Sequence, residues 1–168
     1  ALVKGINSVI PDQYENLDYL PVPDYDDVDF TKYPNPYSLI YVTGSRGCVK
    51  KCTFCDVHLI WPKYKFRTAT HVFNEVKELH EKYGFEEFNF TDSLINGSMK
   101  NFRELLQLIK EYKNNGHPKV RWRSQWIMRP ANQCDENDYI LMKESGCSGL
   151  EVGLESFSES VRFHMGKK

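Results

Sequence analysis

Three cysteines close together in the sequence form the most reactive group of the chain. Cys48, Cys52 and Cys55 are separated by three and then two residues within GSRGCVKKCTFCDVH (44–58). Three neighbouring thiolates can bind an iron–sulfur cluster or a zinc ion. A 4Fe-4S cluster held by only three cysteines leaves one iron open to a substrate or cofactor. The spacing therefore favours a cluster with one open iron.

Two alternatives to a cluster stay open at this point. A structural zinc ion takes four protein ligands, and His58 is the only nearby residue that could complete the set. Such a site would make the chain a zinc-stabilised binding module without catalysis. The five cysteines could instead form disulfides. Against disulfides, the number is odd, no secretory signal is visible and the chain is large enough to fold without covalent links.

The elements that must position these cysteines alternate between strands and helices. Short apolar, β-rich runs predict strands at 38–43, 86–91, 120–128 and 150–154. A long segment, called here the cysteine loop (44–67), directly follows the first of them. Its thiols are therefore expected at the carboxyl end of that strand, where parallel α/β folds gather their chemistry.

Helical spacing of apolar residues predicts a helix after each strand. The cysteine loop lies between the first strand and the first of these helices. The helix ends are predicted from capping residues, namely Thr68 or Thr70, Ser98, Asp135 and Ser158 at the start and Gly84, Asn114 and Gly146 at the end. Trp122 and Trp126 alternate with charged residues on the third strand and are predicted to fill the core.

These strand–helix units favour an α/β fold with parallel strands joined by helical crossovers. About four βα units are present, which is too few for an eight-stranded barrel of about 250 residues. We therefore predict a partial, incomplete TIM-type βα barrel. Its last strand would present an unpaired edge. We expect either a missing C-terminal remainder or self-association through that edge.

Charge and proline divide the chain into two predicted parts. Residues 1–37 hold seven acidic and two basic residues, a sum of −5, and five of the eight prolines. This segment is predicted to be an acidic, proline-rich arm or linker. Residues 38–168 are predicted to be the N-terminal half of the barrel, whose C-terminal part lies outside this sequence.

Composition excludes several classes of protein. The 40% apolar content rules out a disordered chain, and the formal net charge of −1 argues against a general polyanion-binding surface. No apolar run approaches the roughly 20 residues that span a bilayer, so no membrane partner is expected. The N-terminal residues show no signal-peptide pattern. We expect a cytoplasmic protein.

The cysteine motif, with an aromatic residue before its third cysteine and a strand before its first, resembles the signature of the radical S-adenosylmethionine (radical SAM) enzymes. Three further segments support the resemblance. TGSRGC (43–48) is similar to the text before the family's cluster, apart from an inserted Gly44. LDYLPVPDYDDVDFTKY (17–33) resembles the segment that joins a cobalamin-binding domain to the radical SAM core in one subgroup. GLEVGLESFSESVRFHMGKK (149–168) resembles that subgroup's fourth strand and following helix.

The resemblance implies a cofactor chemistry. Cys48, Cys52 and Cys55 would ligate three irons of a 4Fe-4S cluster, and S-adenosylmethionine would chelate the fourth. Reductive cleavage would give a 5′-deoxyadenosyl radical that removes a hydrogen atom from an unknown substrate. The electron would come from a donor such as a flavodoxin or a ferredoxin. The full-length protein would also bind cobalamin, although no cobalamin-binding domain is present in this sequence.

The loop also carries the basic residues Arg46, Lys50 and Lys51. They are expected to lower the thiol pKa values and to offset the negative charge of a cluster or attract an anionic electron donor. A solvated basic loop is the alternative for any single lysine.

Cofactor contacts are implied at two positions early in the chain. Phe54 would lie near the adenine, or would simply pack under the loop. Thr91, Asp92 and Ser93 follow the second strand, where the family accepts hydrogen bonds from the amino group of S-adenosylmethionine. A strand-end turn is the alternative for these polar residues.

Further contacts are implied near the third and fourth strands. Glu155 and Ser156 would face the ribose hydroxyls or the methionine end of the cofactor, unless Ser156 only caps the next helix. An arginine would meet the cofactor carboxylate, and we favour Arg129 over Arg123 because it lies at the strand's end. No catalytic residue is predicted. Cys134 and Cys147 are expected to be core or surface cysteines.

Overall fold

The computed structural model describes residues 16–33 and 39–167. Residues 1–15 and 34–37 of the predicted arm and the start of the first predicted strand lie outside these residues. The described chain has six strands: β1 (Ile40–Val42), β2 (Ser45–Arg46), β3 (Lys65–Phe66), β4 (Glu87–Phe90), β5 (Arg121–Trp126) and β6 (Cys147–Val152). Its five α-helices are α1 (Val57–Ile60), α2 (Ala69–Tyr83), α3 (Met99–Asn114), α4 (Glu136–Glu144) and α5 (Glu159–His164).

Four of the strands form one parallel sheet in the order β1-β4-β5-β6. Phe88 lies opposite Ile40 on one side and Trp122 on the other, so the register is continuous across the first three strands. Successive strands are therefore neighbours, joined by helical crossovers. The predicted α/β fold with parallel strands is confirmed, and β6 lies at one edge of the sheet.

Helix ends follow local side-chain chemistry as expected. The Ser98 side chain accepts a hydrogen bond from the Asn101 backbone at the start of α3, and Asp135 forms a capping box at the start of α4. Gly84 ends α2 in the left-handed conformation, with φ of 77°. Thr68 precedes α2 but its side chain makes no capping hydrogen bond.

The core lies between the sheet and helices α2 and α3. Trp122 and Trp126 are both buried, as their alternation on the strand predicts. Trp122 also donates from Nε1 to the Ser145 side chain over 3.1 Å, so its polar atom is satisfied inside the core. Phe102 of α3 packs edge-on against Trp122 with ring centroids 6.0 Å apart.

Two segments differ from the sequence-based expectation. The cysteine loop contains the antiparallel pair β2–β3 and the single-turn helix α1, which its irregular sequence did not indicate. Strand β6 begins at Cys147 rather than at 150. The reason is Gly146, whose positive φ of 90° reverses the chain early, so that its carbonyl accepts from the Trp122 backbone at 3.0 Å.

The described part of the arm packs on the outside of the barrel half. The Phe30 ring meets Phe85 edge-on with centroids 5.0 Å apart, and the Tyr25 backbone donates to the Tyr83 hydroxyl at 3.0 Å. The division of the chain into arm and barrel half stays a prediction. Across the described ranges, no helix combines the length and apolar character needed to cross a membrane.

Candidate functional site

A cavity of about 430 Å³ opens at the carboxyl end of the parallel sheet and holds all three cysteines of the motif. Its walls come from the cysteine loop, from the turn after β4 and from the ends of β5 and β6. The lining residues are Cys48, Lys50, Cys52, Phe54, Cys55, Val57, Ser93, Leu94, Gln125, Trp126, Ile127, Glu151, Val152, Gly153, Glu155 and Lys167. The chain therefore places its reactive thiols where α/β folds bind their ligands.

Backbone hydrogen bonds hold the cysteine segment in a compact turn. The Cys55 N–H donates to the Cys52 carbonyl over 3.1 Å, and the Lys50 N–H points at the Cys48 sulfur over 3.3 Å. All five cysteines of the chain are free thiols. The disulfide alternative is therefore wrong for this fold.

Burial and a basic neighbour act in opposite directions on the pKa of Cys48. Burial raises the pKa of the Cys48 thiol, and the neighbouring Cys52 and Cys55 raise it further, although the Lys50 backbone N–H acts in the opposite sense. The charge of Lys50 lowers the pKa of Cys48, as predicted for a basic neighbour, but burial outweighs this effect and the pKa is raised overall. Arg46 is engaged elsewhere, with its guanidinium 4.8 Å from the centre of the Trp61 ring. Cluster binding at this site would release protons from the thiols.

A single-metal site finds no support in the geometry. Among the described residues, no three His, Cys, Asp or Glu side chains converge on a point where one metal ion could sit. His58, the expected fourth zinc ligand, is not one of the residues that line the cavity. In an iron–sulfur cluster each cysteine ligates its own iron, so the sulfurs stand farther apart than they do around one zinc.

Three of the predicted cofactor contacts share the cavity with the cysteines. Phe54 is 55% exposed and lies on the wall between two of the cysteines. Ser93 and Glu155 approach from the ends of β4 and β6. These three side chains are in place to meet a ligand, and their contacts with S-adenosylmethionine stay predictions.

Asp92 is placed differently from its neighbour Ser93. Its side chain is only 3% exposed, and its Oδ2 accepts from the Gly44 N–H over 3.0 Å. A Cβ atom at position 44 would lie 3.1 Å from Asp92 Oδ1, so the inserted glycine lets the backbone approach the carboxylate closely. Asp92 therefore holds the start of the cysteine loop and does not line the cavity.

Three other predicted contacts also lie away from the cavity. The Thr91 and Thr43 hydroxyls are 2.9 Å apart, and the Ser156 hydroxyl accepts from the Ser158 backbone over 3.1 Å. Arg129 donates from Nη2 to the carbonyls of Asn96 and Gly97, over 2.7 and 3.1 Å respectively. Each of these side chains is thus already hydrogen-bonded within the protein.

Three polar residues of the cavity were not predicted from the sequence. Gln125 and Glu151 lie opposite each other on β5 and β6 and both line it. Their strand positions offered a signal, because a polar side chain near the carboxyl end of a parallel strand tends to face the ligand. Lys167 lies beyond α5, within the segment 149–168 that resembles the subgroup's fourth strand and following helix, but no role at the site was predicted for it.

The buried Asp92 carboxyl gives a pH-dependent prediction. Burial is the largest effect on its pKa and raises it from 3.8 to about 6, although the hydrogen bond from the Gly44 N–H lowers it. A raised folded-state pKa stabilises the fold below pH 3.8, and this contribution is lost as the pH rises through about 6. Asp92→Asn keeps an acceptor and removes the charge. At about 1.4 kcal/mol per pH unit, we expect it to stabilise the chain by about 3 kcal/mol at pH 7.5.

Urea unfolding of the metal-free protein at pH 4 and pH 7.5 measures this effect. The gain of Asp92→Asn over the unsubstituted chain should be small at pH 4 and large at pH 7.5. Asp56→Asn, an exposed carboxyl in the same loop, is the control. An equal gain at both pH values would contradict the prediction.

Comparison with known proteins identifies the family. A family model described as the radical SAM superfamily matches residues 42–168. This chain belongs to the radical SAM superfamily. The match covers all three motif cysteines and the cavity around them, so the resemblance inferred from the cysteine motif is confirmed.

Individual radical SAM relatives are methyltransferases and methylthiotransferases. The chain is 31% identical over 163 residues to cytidylyl-2-hydroxyethylphosphonate methyltransferase of Streptomyces wedmorensis, covering 90% of this chain and 29% of that relative. It is 28% identical over 134 residues to a ribosomal protein uS12 methylthiotransferase of Clostridium novyi, covering 77% of this chain and 30% of that relative. The chain thus spans about 30% of the length of these relatives.

A solved radical SAM enzyme shares the fold. The chain superposes with a TM-score of 0.66 on the radical S-adenosylmethionine methyltransferase TsrM from Kitasatospora setae, solved with cobalamin and a 4Fe-4S cluster bound. The two are 23% identical, and the superposition covers 80% of this chain and 24% of that one. At this identity the likeness shows the fold alone, and it agrees with a partial barrel.

Proposed function

We propose that Cys48, Cys52 and Cys55 hold a 4Fe-4S cluster and that the same cavity binds S-adenosylmethionine at the open iron. The observation that carries the proposal is the meeting of the three free thiols in one cavity at the carboxyl end of the sheet. When bound, the reduced cluster supplies the electron that cleaves S-adenosylmethionine to methionine and a 5′-deoxyadenosyl radical. Family membership makes this chemistry the expected one.

The cavity suits a ligand of this size and polarity. Its volume of about 430 Å³ falls within the range of small-molecule sites, about 300–1,000 Å³. Phe54 offers a flat apolar face for the adenine. Glu155 can accept two hydroxyl hydrogen bonds from the ribose, and Ser93 can bond the amino acid end. We propose these three as the chain's contacts with the cofactor.

The proposed roles of the other predicted contacts change with their positions. Asp92 would act on the cofactor only indirectly, because it holds Gly44 at the start of the cysteine loop. Arg129 would likewise brace the turn after β4 through Asn96 and Gly97. We propose no direct cofactor contact for Thr91 or Ser156.

The proposed partners follow from features around the site. Lys50 and Lys51 stand on the cysteine loop, and we propose that they attract an acidic electron donor such as a flavodoxin or a ferredoxin. At the sheet edge, Val152 and Leu154 expose apolar side chains beside β6. We propose that a further βα unit of a longer polypeptide covers this edge, and that residues 1–168 alone self-associate through it.

The relatives indicate the type of reaction of the whole protein. The Streptomyces wedmorensis relative is named a methyltransferase, and the Kitasatospora setae structure holds cobalamin beside its cluster. We propose that the full-length protein is a cobalamin-dependent methyltransferase that acts in the cytoplasm, where its free thiols would stay reduced.

Reconstitution without oxygen tests the proposed site. The purified chain is supplied with iron and sulfide, and its iron content and visible absorption are then recorded before and after S-adenosylmethionine is added. We expect about four irons per chain and a spectral change on cofactor addition. One tightly held zinc with no iron uptake would instead support a zinc-stabilised binding module, and the proposal would be wrong.

A further inference from the structure

The chain after α5 returns to the cysteine loop. The Thr53 N–H donates to the Met165 carbonyl over 3.0 Å. Gly166 then turns the chain with a positive φ of 67°, and a Cβ atom there would lie 3.3 Å from the Lys51 carbonyl. This close approach carries the next residue, Lys167, onto the wall of the cavity.

Lys167 forms an ion pair with Glu155 inside the cavity. Its Nζ lies 2.7 Å from Glu155 Oε1, and the two side chains are only 19% and 36% exposed. The same ammonium lies 5.9 Å from the centre of the Phe54 ring. Lys167 is the more buried partner, and the short distance gives a charge-assisted hydrogen bond at the cavity wall.

The backbone at Glu155 explains why such a partner is needed. Glu155 has a φ of 63°, and it is the only non-glycine residue with a positive φ in the described part of the chain. This conformation costs of the order of 1 kcal/mol or more and persists only when surrounding contacts hold it.

Gly153 makes room for the Glu155–Lys167 ion pair, which occupies the space where a side chain at position 153 would begin. A Cβ atom at position 153 would lie 2.7 Å from Glu155 Oε1 and 2.9 Å from Lys167 Nζ. The left-handed backbone at Glu155, the absence of a side chain at Gly153 and the ion pair with Lys167 together fix the position of the Glu155 carboxylate.

We propose that Lys167 is a positioning residue that holds Glu155 in its left-handed conformation, with its carboxylate at the cavity wall. The inference rests on the proposed function, because it assigns Glu155 to a cofactor contact. Without Lys167, the Glu155 backbone relaxes toward ordinary dihedral angles and the carboxylate leaves the wall. The cysteines are untouched, so cluster assembly does not depend on Lys167.

Binding of S-adenosylmethionine to the reconstituted protein provides the first test. Lys167→Met should leave the iron content unchanged and weaken cofactor binding about tenfold, which is the effect expected for about one charge-assisted hydrogen bond. Lys167→Arg should retain most of the affinity. Lys63→Met, which removes the same charge from an exposed site on the cysteine loop, should change the affinity little.

A double-mutant cycle separates positioning from direct contact. If Lys167 acts through Glu155, Lys167→Met should cause no further loss in the Glu155→Gln background. A second, equal tenfold loss in that background would mean that the two residues act independently, and it would overturn the inference.

Hydrogen exchange in the metal-free protein gives a readout that does not depend on the cofactor. Lys167→Met should speed exchange of the amides in residues 154–158 by about tenfold, and Lys63→Met should not. Unchanged exchange in Lys167→Met would overturn the inference even if the cofactor binds. A failure of the unsubstituted protein to take up iron or cofactor would instead refute the proposed function and leave the exchange result standing.

Discussion

Replacement of Cys48 by alanine is expected to abolish cluster assembly while the chain stays folded. Cys48 lines the cavity with Cys52 and Cys55, and each thiolate would ligate a different iron. Loss of one of three protein ligands leaves two irons without a protein ligand. We therefore expect iron uptake to fall from about four per chain to near zero. Cys52→Ala and Cys55→Ala should have the same effect.

Iron and sulfide analysis after oxygen-free reconstitution measures this loss, and circular dichroism reports whether the fold persists. Cys147→Ala is the matched control, because Cys147 is a half-buried free thiol on β6 outside the cavity. It should assemble a full cluster. A full cluster in the Cys48→Ala protein would show that the ligand assignment is wrong.

Replacement of Glu75 by alanine should destabilise the metal-free chain more than any exposed substitution. Glu75 on α2 forms a buried ion pair with Arg67, and the two side chains are 3% and 4% exposed. Burial raises the pKa of Glu75, although the Arg67 guanidinium lowers it. Removing one member of a buried pair leaves an uncompensated charge, which costs about 3–5 kcal/mol.

The Arg67–Glu75 pair also affects the cysteine loop, because Arg67 lies at one end of the loop and is hydrogen-bonded to the other. Arg67 also donates from Nη1 to the Thr43 carbonyl over 3.2 Å, and its backbone N–H donates to the Gly44 carbonyl over 2.8 Å. These bonds join the two ends of the cysteine loop. Glu75→Ala should therefore loosen the loop as well as lower the free energy of unfolding.

Urea unfolding with two controls tests the prediction. Glu78→Ala removes an exposed carboxylate from the same helix and should cost less than about 0.5 kcal/mol. Arg67→Met combined with Glu75→Leu removes both charges and should recover most of the stability lost in Glu75→Ala. If Glu75→Ala were no less stable than Glu78→Ala, the buried pair would not contribute as described.

Features set by local chemistry were predictable from the sequence. Ser98 and Asp135 cap their helices because a side-chain oxygen can reach the exposed backbone N–H groups one turn away. Trp122 and Trp126 face the core because alternate residues of a strand share a face. The spacing of the three cysteines likewise predicted that they would lie close together, and all three line one cavity.

Features set by distant parts of the chain were not predictable. Asp92 and Ser93 are adjacent polar residues, and only the approach of Gly44 decides that the first turns away from the cavity. Arg67 and Lys167 find their partners through tertiary packing. Lys167 lies in the segment that resembles the subgroup's fourth strand and helix, but that resemblance assigned it no partner.

The closed base of the cysteine loop has a consequence for how the metal is acquired. Strands β2 and β3 and the bonds of Arg67 join the loop's two ends through protein contacts alone. Small zinc domains gain their fold only as the ion arrives, so that loading and folding are one event. Here protein contacts alone close the base of the loop, so the metal-free chain should unfold cooperatively on its own. Because the cluster would bind only the folded chain, its insertion should raise the melting temperature.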